Sequence, residues 1–161
     1  MSIEQAVYQQ LDELGVSYRV IEIDPDYADT AAFCQRYGYS PEVSVNCIVV
    51  ASRTGQKKYA TCLVQATRRL DVNRTVRGLI GARKVSFAAA EDTVAVTGMT
   101  PGGVTPFALP PELPIYVDAP VMELDEIILG GGGRSTKILV SPAVLATLPA
   151  VTVVDGLAGP Q

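Results

Sequence analysis

A loop with unusual backbone chemistry runs from Gly98 to Phe107 and reads Gly-Met-Thr-Pro-Gly-Gly-Val-Thr-Pro-Phe. Its three glycines permit positive φ angles and a close approach of a ligand to the main chain. Its two prolines fix φ and stiffen the loop. N–H groups on a stiff loop are suited to holding a small polar ligand or a developing oxyanion. Composition alone favours a plainer alternative, in which the loop only redirects the chain.

The sequence contains no histidine. Its absence excludes Ser-His-Asp and Cys-His catalysis and the HExxH metalloproteases. The cysteines, Cys34, Cys47 and Cys62, are odd in number and lack C-x-x-C spacing. This usage predicts reduced thiols in a cytoplasmic compartment rather than a disulfide framework or a zinc site. Any chemistry must therefore use carboxylates, Lys, Tyr, Cys, backbone amides, water or the substrate itself.

Positive charge is concentrated in one segment, although the net charge of the chain is −4. The segment between residues 68 and 84 holds Arg68, Arg69, Arg74, Arg77, Arg83 and Lys84. Residues 86–133 contain no Lys or Arg. A basic segment on an acidic protein can meet phosphates locally. A solvated helix face explains the same pattern equally well.

Length and composition predict one globular domain over residues 1–161. The chain has 161 residues, of which 48% are hydrophobic, enough for a sizeable core. No apolar run approaches the roughly 20 residues of a membrane span. The acidic and polar residues 1–5 are unlike a signal peptide. We therefore expect a soluble cytoplasmic protein without a membrane partner.

Hydrophobic periodicity and turn residues predict the elements that position these groups. A capping box at Ser2 and Gln5 starts a first helix, which ends at Gly15. Further helices are predicted at 30–37, from Asp71 to Gly81, at 91–96 and from Ser141 to Leu148. Strands are predicted at 18–23, 43–51, 58–66, 85–87, 115–118, 126–129, 136–140 and 151–154.

Turns and ends complete this prediction of a mixed α/β fold. Strands 43–51 and 58–66 form a hairpin around Arg53-Thr54-Gly55-Gln56. The four-glycine run 130–133 lies between two strands, which favours a hairpin turn over a dinucleotide cradle. The Gly-Pro tail after the edge strand 151–154 is expected to fray.

In the order of its motifs the chain resembles the YbaK/ProX family. This family comprises aminoacyl-tRNA deacylase or editing domains, found alone or attached to prolyl-tRNA synthetases. The most specific match is the glycine loop, with a G-x-x-x-P element at Gly102 and Pro106. Three further segments agree in order and spacing: 71–81 followed by 83–88, then 115–118, then 132–134 before a strand ending in Ser-Pro. The resemblance runs from the first helix to about Pro142.

The resemblance implies a mixed, partly barrel-like sheet surrounded by helices. The implied activity is hydrolysis of the ester that joins a wrong amino acid to the 3′ end of a tRNA, without a metal or other cofactor. The glycine loop would position the substrate carbonyl and a water by backbone groups, with a ribose hydroxyl of the tRNA assisting. In this chain the amides of Gly102 and Gly103 would polarise the carbonyl. Preorganised amides need no histidine.

One position departs from the family pattern. The family usually carries a lysine early in the strand that matches 43–51, and this chain has Asn46 there. Asparagine offers a neutral donor and acceptor in place of a charge. It would orient a water or a carbonyl without the electrostatic contribution of lysine. The alternative is a strand residue that hydrogen-bonds a neighbouring loop.

The resemblance also suggests further contacts. Substrate-binding residues would be Gly98, Thr105, Pro106, Asp118, Gly133 and Arg134. Contacts with the acceptor stem of the tRNA would come from Arg68, Arg69, Arg74, Arg77 and Lys84. For each of these side chains an ordinary structural or solvated role is the alternative.

The leading hypothesis is a trans-acting deacylase of tRNA mischarged with a small amino acid. Its partner is the 3′ end and acceptor stem of aminoacylated tRNA. Asn46 motivates a second hypothesis, a tRNA- or amino-acid-binding module that kept the fold without turnover. A hydrolase of another small ester or amide is the third. The oligomeric state stays open, a homodimer included.

Overall fold

The computed structural model describes residues 1–161. The α-helices are α1 (Ile3–Glu13), α2 (Thr30–Tyr37), α3 (Arg77–Ile80) and α4 (Ala90–Thr97). Ten strands alternate with them: β1 (Tyr18–Glu22), β2 (Val45–Ser52), β3 (Tyr59–Gln65), β4 (Arg68–Leu70), β5 (Val85–Phe87), β6 (Ile115–Asp118), β7 (Ile127–Gly130), β8 (Thr136–Val140), β9 (Val151–Val154) and β10 (Ala158–Pro160). Shorter helical turns cover Pro25–Tyr27, Val72–Val76, Ala119–Glu123 and Pro142–Thr147. None of the helices has both the length and the apolar composition of a membrane span.

Two sheets form the body of the molecule. The larger sheet has the order β5-β2-β3-β6-β9, in which β2 and β3 form the predicted hairpin and β6 runs parallel to β3 and β9. The smaller sheet has the order β1-β8-β7. A single parallel bridge from Ser44 to Ile128 links the two sheets, so they abut without closing into a barrel. The predicted mixed α/β class is confirmed, and the barrel-like description is not needed.

The two faces of the larger sheet cover separate hydrophobic cores. On β3, Leu63 belongs to one core while Cys62 and Val64 belong to the other, as the alternation of side chains along a strand requires. The first core is completed by α1, the smaller sheet and the 142–147 turn. The second is covered by residues 70–80 and by the chain around Leu157. The first core therefore joins the two sheets, while the second packs on the larger sheet alone.

The chain terminus departs from the prediction. The tail does not fray, because β10 pairs with β4 in the register Ala158↔Leu70. The carboxylate of Asp118 accepts a hydrogen bond from the Ala158 backbone N–H at 3.2 Å, and Leu157 is fully buried. The prediction failed because both contacts join residues far apart in sequence, and local composition carries no signal for them.

The helix after Asp71 also begins differently from the prediction. Residues Val72–Val76 form a π-helical turn, and only Arg77–Ile80 are α-helical before Gly81 ends the segment. The Asp71 side chain makes no cap to a backbone N–H. It accepts a hydrogen bond from the Thr75 hydroxyl at 2.9 Å instead. That bond takes the place of the predicted cap.

Candidate active site

A cavity of about 250 Å³ opens at the junction of the two sheets. Its walls are the first half of β2, the end of β7, the segment Ala28–Thr30 and the glycine loop. Asn46, Gly102 and Lys137 all line it. The cavity forms here because only one bridge joins β2 and β7, which leaves the space beside that bridge unfilled.

Three polar contacts fix the Ala28–Thr30 wall, one for each residue. The Lys137 ammonium donates to the Ala28 carbonyl at 2.7 Å. An Arg134 nitrogen, Nη1, lies 3.3 Å from the Asp29 carboxylate. The Thr30 hydroxyl donates to Oδ1 of Asn46 at 2.7 Å. The wall is therefore held by side chains from both sheets, which makes the cavity a defined site rather than a gap in packing.

Asn46 lies early in β2, opposite Val64 of β3, and its side chain reaches the cavity. Since its Oδ1 accepts the Thr30 hydrogen bond, the orientation of the amide is set. No protein group accepts from Nδ2, so both of its donors are available to a ligand. The structure thus places a neutral, oriented donor in the cavity.

The glycine loop carries unpaired backbone N–H groups, and two of the residues that bear them, Gly102 and Val104, line the cavity. Residues 100–103 form a tight turn in which the Gly103 N–H donates to the Thr100 carbonyl at 2.8 Å. Gly102, at the third position of this turn, has φ +88°, a conformation that favours glycine. Its own N–H makes no hydrogen bond within the protein, and the residue lines the cavity. Of the two amides expected to polarise the carbonyl, the Gly103 N–H is bonded within the loop, and the Gly102 N–H is free.

Gly103 has a packing role instead. Its carbonyl accepts from Gly132 N–H at 2.6 Å, and a Cβ at Gly103 would collide with the carbonyl of Gly133. The two glycine-rich segments thus touch backbone to backbone, which only residues without side chains allow. This contact seats the glycine loop on the β7–β8 hairpin and so holds Gly102 at the cavity.

Lys137 is a site residue that the sequence analysis missed. Its residue is 6% exposed, and the bond to Ala28 is the single hydrogen bond of its ammonium. The ammonium lies 5.3 Å from the centre of the Phe33 ring. Burial lowers the pKa of this lysine, and the negative charge of Asp29 partly opposes the shift. The available signal was a lone charge within the apolar strand β8, four residues after Gly133.

Several of the predicted substrate contacts lie outside the cavity lining. Gly98 ends α4, and Thr105 and Pro106 are buried near the end of the glycine loop. Gly133 packs against the Glu4 carboxylate. Arg134 donates to the carbonyls of Pro101 and Pro25 as well as to Asp29. Arg134 therefore links the glycine loop to the Ala28–Thr30 wall without lining the cavity itself.

Asp118 does not line the cavity, in contrast to its expected role as a substrate contact. Its residue is 1% exposed and accepts the Ala158 N–H, with Arg68 Nε at 3.6 Å from its second oxygen. Burial raises the pKa of this carboxyl, although the bond from Ala158 and the Arg68 charge act in the opposite direction. Asp118 anchors β10, which is a structural role.

Cys47 and Cys62 offer no ready nucleophile. Cys47 lines the cavity, and burial raises the pKa of its thiol far above the ordinary value. Burial likewise raises the pKa of Cys62 to about 12. Both are neutral thiols near pH 7, whereas the thiolate is the reactive form. No three His, Cys, Asp or Glu side chains converge in a way that would hold a metal ion.

The basic segment separates into two surfaces. Arg74, Arg77 and Lys84 are exposed and line a groove of about 1110 Å³, together with Lys58 and Arg83. No acidic residue lines this groove, which we call the basic groove.

The other two arginines lie nearer the cavity. Arg68 is turned inward to Asp118 and to the Ala158 carbonyl. Arg69 is exposed and shares a second groove with Phe87, whose residue is 56% exposed. Asn46 also lines this second groove, so the cavity and the Arg69–Phe87 surface are adjacent.

Strand β2 sets the distance from the cavity to the basic groove. Asn46 lies at its start, and the hairpin turn after Ser52 contributes Thr54 and Gly55 to the groove. At a rise of about 3.3 Å per residue, the cavity and the groove are about 20 Å apart. A phosphate chain a few nucleotides long spans that distance.

Comparison with known proteins identifies relatives. A model of the aminoacyl-tRNA editing domain family matches residues 24–148. The prolyl-tRNA editing protein ProX of Acetoanaerobium sticklandii is 28% identical over 110 residues, which are 68% of this chain and 65% of that protein. A protein of Enterococcus faecalis, EbsC, named as a candidate Cys-tRNA(Pro)/Cys-tRNA(Cys) deacylase, is 24% identical over 101 residues, 63% of this chain and 59% of that one. The chain therefore spans less than two thirds of the length of these curated relatives.

The fold is shared with solved structures. A crystal structure described as a candidate trans-editing enzyme for prolyl tRNA synthetase aligns with a TM-score of 0.80 at 24% identity. The alignment covers 96% of each chain. The overall fold therefore belongs to an existing architecture.

Proposed function

The chain belongs to the aminoacyl-tRNA editing domain family, and from that premise we propose that it hydrolyses the ester of mischarged aminoacyl-tRNA in trans. The family match includes the Ala28–Thr30 segment, β2, the glycine loop and β8, which together line the cavity. The observation that carries the proposal is that Gly102, whose N–H is free, and Asn46, whose amide is oriented by Thr30, line one small cavity. Fixed hydrogen-bond donors in a cavity stabilise the negative charge that develops on the carbonyl oxygen during ester hydrolysis.

The reaction adds water to the ester carbonyl carbon and breaks the carbon–oxygen bond to the ribose. The Gly102 N–H donates to the carbonyl oxygen as it gains negative charge. Asn46 Nδ2 orients the substrate or the attacking water. The proton that water loses passes to the ribose oxygen, with the neighbouring ribose hydroxyl assisting, which gives free amino acid and tRNA. Donors already held in position need no reorganisation during the reaction.

The cavity favours a small amino acid. Its volume of about 250 Å³ must hold the amino acid together with the ester group. Phe33, Val104 and Ile128 form apolar parts of its wall. Alanine, serine, cysteine and proline are therefore the proposed substrates, and the names of the ProX and EbsC relatives fall within this group.

The basic groove supplies the proposed contact with the acceptor stem. Arg74, Arg77 and Lys84 are exposed and unopposed by acids within the groove. Lysine and arginine gain binding free energy from phosphates by releasing counterions. The separation of about 20 Å suits a tRNA whose 3′ end enters the cavity while its stem lies in the groove. Arg69 lies on the surface between them.

A single-turnover deacylation assay tests the proposal. The substrates are tRNAs charged with Ala, Ser, Cys, Pro and one large residue. Wild type is expected to hydrolyse one or two small species. Gly102→Val is expected to abolish hydrolysis, because φ +88° is strained for valine and its Cβ would displace Arg134. Gly15→Ala is the control, since Gly15 also has a positive φ, +70°, but a Cβ there would have no atom within 4 Å.

Other outcomes identify the alternatives. Folded protein that binds charged tRNA without hydrolysing any species would contradict the proposal and favour a binding module. Turnover of a small amino-acid ester that is indifferent to added tRNA would favour a hydrolase of another ester. The Asn46→Ala variant then reports whether the asparagine acts in hydrolysis or only in binding.

A further inference from the structure

Lys137 is a buried charge whose partners in the protein are incomplete. An ammonium has three donors, and Lys137 uses one of them, on the Ala28 carbonyl. The ion pairs of the chain are Arg68–Asp118 and Arg134–Asp29, so no carboxylate lies within 4.0 Å of Lys137. A buried ammonium without a counter-charge destabilises a fold. Two unused donors on a charge that faces a cavity indicate an anionic oxygen as the ligand.

The position of this charge complements Asn46. Lys137 bonds Ala28 and Asn46 bonds Thr30, residues two apart on the same wall. Both side chains line the same cavity, one from β8 and one from β2. The β2 position is a neutral asparagine. The positive charge of the cavity therefore enters from the smaller sheet.

We propose that Lys137 is a catalytic residue that donates, with the Gly102 N–H, to the oxyanion formed at the ester carbonyl. This inference rests on the proposed function. Water adds to the carbonyl carbon, the carbonyl oxygen takes the negative charge, and the Lys137 ammonium stabilises that charge without giving up its proton. When the carbonyl re-forms, the bond to the ribose oxygen breaks and the ammonium is unchanged. Asn46 then only orients the substrate or the attacking water, because the positive charge comes from Lys137 on β8.

Removing and relocating the charge tests this role in single-turnover hydrolysis of the best aminoacyl-tRNA. Lys137→Met is expected to lower the maximal rate roughly 10²–10³-fold, the effect of losing an oxyanion donor. The half-saturating concentration is expected to stay within about threefold, because the donor acts on the transition state rather than on bound substrate. Lys57→Met, at an exposed lysine outside the cavity and both grooves, is the matched control and should match wild type.

The charge swap keeps the test decisive if Lys137→Met folds poorly. Asn46→Lys alone puts two ammonium groups in one cavity and is expected to lower the rate. Combining Asn46→Lys with Lys137→Asn returns a single charge to β2 and is expected to exceed Lys137→Asn alone by at least about tenfold. A purely structural role for Lys137 would not produce this rescue.

Three results would overturn the inference. The first is an active wild type with Lys137→Met within threefold of its rate. The second is an effect confined to the half-saturating concentration, which would assign Lys137 to a phosphate of the tRNA instead. The third is a swap variant no faster than Lys137→Asn. An inactive wild type would instead contradict the proposed function itself, so the two failures are distinct.

Discussion

Asp118 and Lys137 are both buried charges, and the fold treats them in opposite ways. Asp118 receives a backbone hydrogen bond from Ala158 and lies beside the Arg68 guanidinium. Lys137 has one backbone carbonyl and no carboxylate partner. Burial shifts the pKa of each toward its neutral form, so neither charge is buried without cost. Asp118 is partnered within the fold, although its Oδ2 lies 3.6 Å from Arg68 Nε without a hydrogen bond. Lys137 instead lines a cavity, where its remaining donors are available to a ligand.

The largest expected effect separates the two charges by stability. Asp118→Ala leaves Arg68 without its counter-charge and Ala158 N–H without its acceptor. We expect the free energy of unfolding to fall by about 3 kcal/mol, the low end for breaking a buried pair, because Arg68 is one third exposed. Hydrolysis per folded molecule should be unchanged. Urea unfolding and titration of folded protein check both values.

Asp155→Ala is the control for this prediction, since Asp155 is an exposed acid on the same part of the chain. Its free energy of unfolding should stay within about 0.5 kcal/mol of wild type. A catalytic defect of Asp118→Ala in fully folded protein would contradict the structural role of Asp118, because Asp118 would then act on the substrate.

The exposed charges of the basic groove form a third class, neither buried nor paired within the groove. Replacing Arg74 and Arg77 by alanine should weaken tRNA binding roughly tenfold to hundredfold at low salt. The slope of log affinity against log salt should fall by about 2, one for each lost phosphate contact. The maximal hydrolysis rate should not change. Filter binding across a salt series measures the slope, and an unaltered slope would exclude these arginines from the interface.

A smaller effect is expected at Thr30, which positions Asn46. Thr30→Val keeps the shape and removes the hydroxyl that donates to Asn46 Oδ1. Loss of this hydrogen bond is worth about 1 kcal/mol, which corresponds to a fivefold to tenfold slower hydrolysis. Thr30→Ser retains the hydroxyl and should recover most of the rate. Equal rates for the valine and serine variants would show that the orientation of Asn46 is unimportant.

The helices and strands that position these residues can be predicted from local sequence. The burial and the partners of the charged side chains cannot. The hairpin of β2 and β3, the helix Thr30–Tyr37 and the strand Ile115–Asp118 follow from alternation, turns and caps within a few residues. Asn46 and Gly102 were predicted from the resemblance of the strand and the glycine loop to the family pattern, and both line the cavity. Asp118 looked like a site residue because nothing local shows that β10 returns 40 residues later to cover it.

The roles of Lys137 and Gly103 also depend on contacts between residues that are distant in sequence. Lys137 sits in a strand whose pattern says only that its neighbours are buried, and its cavity is assembled from residues up to 109 positions away. Gly102 and Gly103 are adjacent and alike in sequence. Only the turn at Thr100 and the contact with Gly133 decide which of their two amides stays free.

A last prediction tests the burial of the Lys137 charge through the pH dependence of stability. The pKa of Lys137 in the folded protein is lowered from the ordinary value of 10.5. In the window just below 10.5 the unfolded chain therefore holds a proton that the folded protein has released. Stability rises with pH wherever the unfolded state binds more protons, by at most about 1.4 kcal/mol per pH unit for one group. Lys137→Met should lack this rise.

The informative quantity is the difference between the two proteins, because other groups titrate in the same range. Burial raises the pKa values of Tyr116 and Cys62, so their contributions fall as pH rises, equally in both proteins. The stability of wild type minus that of Lys137→Met should therefore climb as the pH rises toward 10.5, even if both proteins lose stability, because the lysine pKa is shifted downward from that value. A flat difference would mean that Lys137 carries a full set of partners in the folded state, and the contrast with Asp118 would fail.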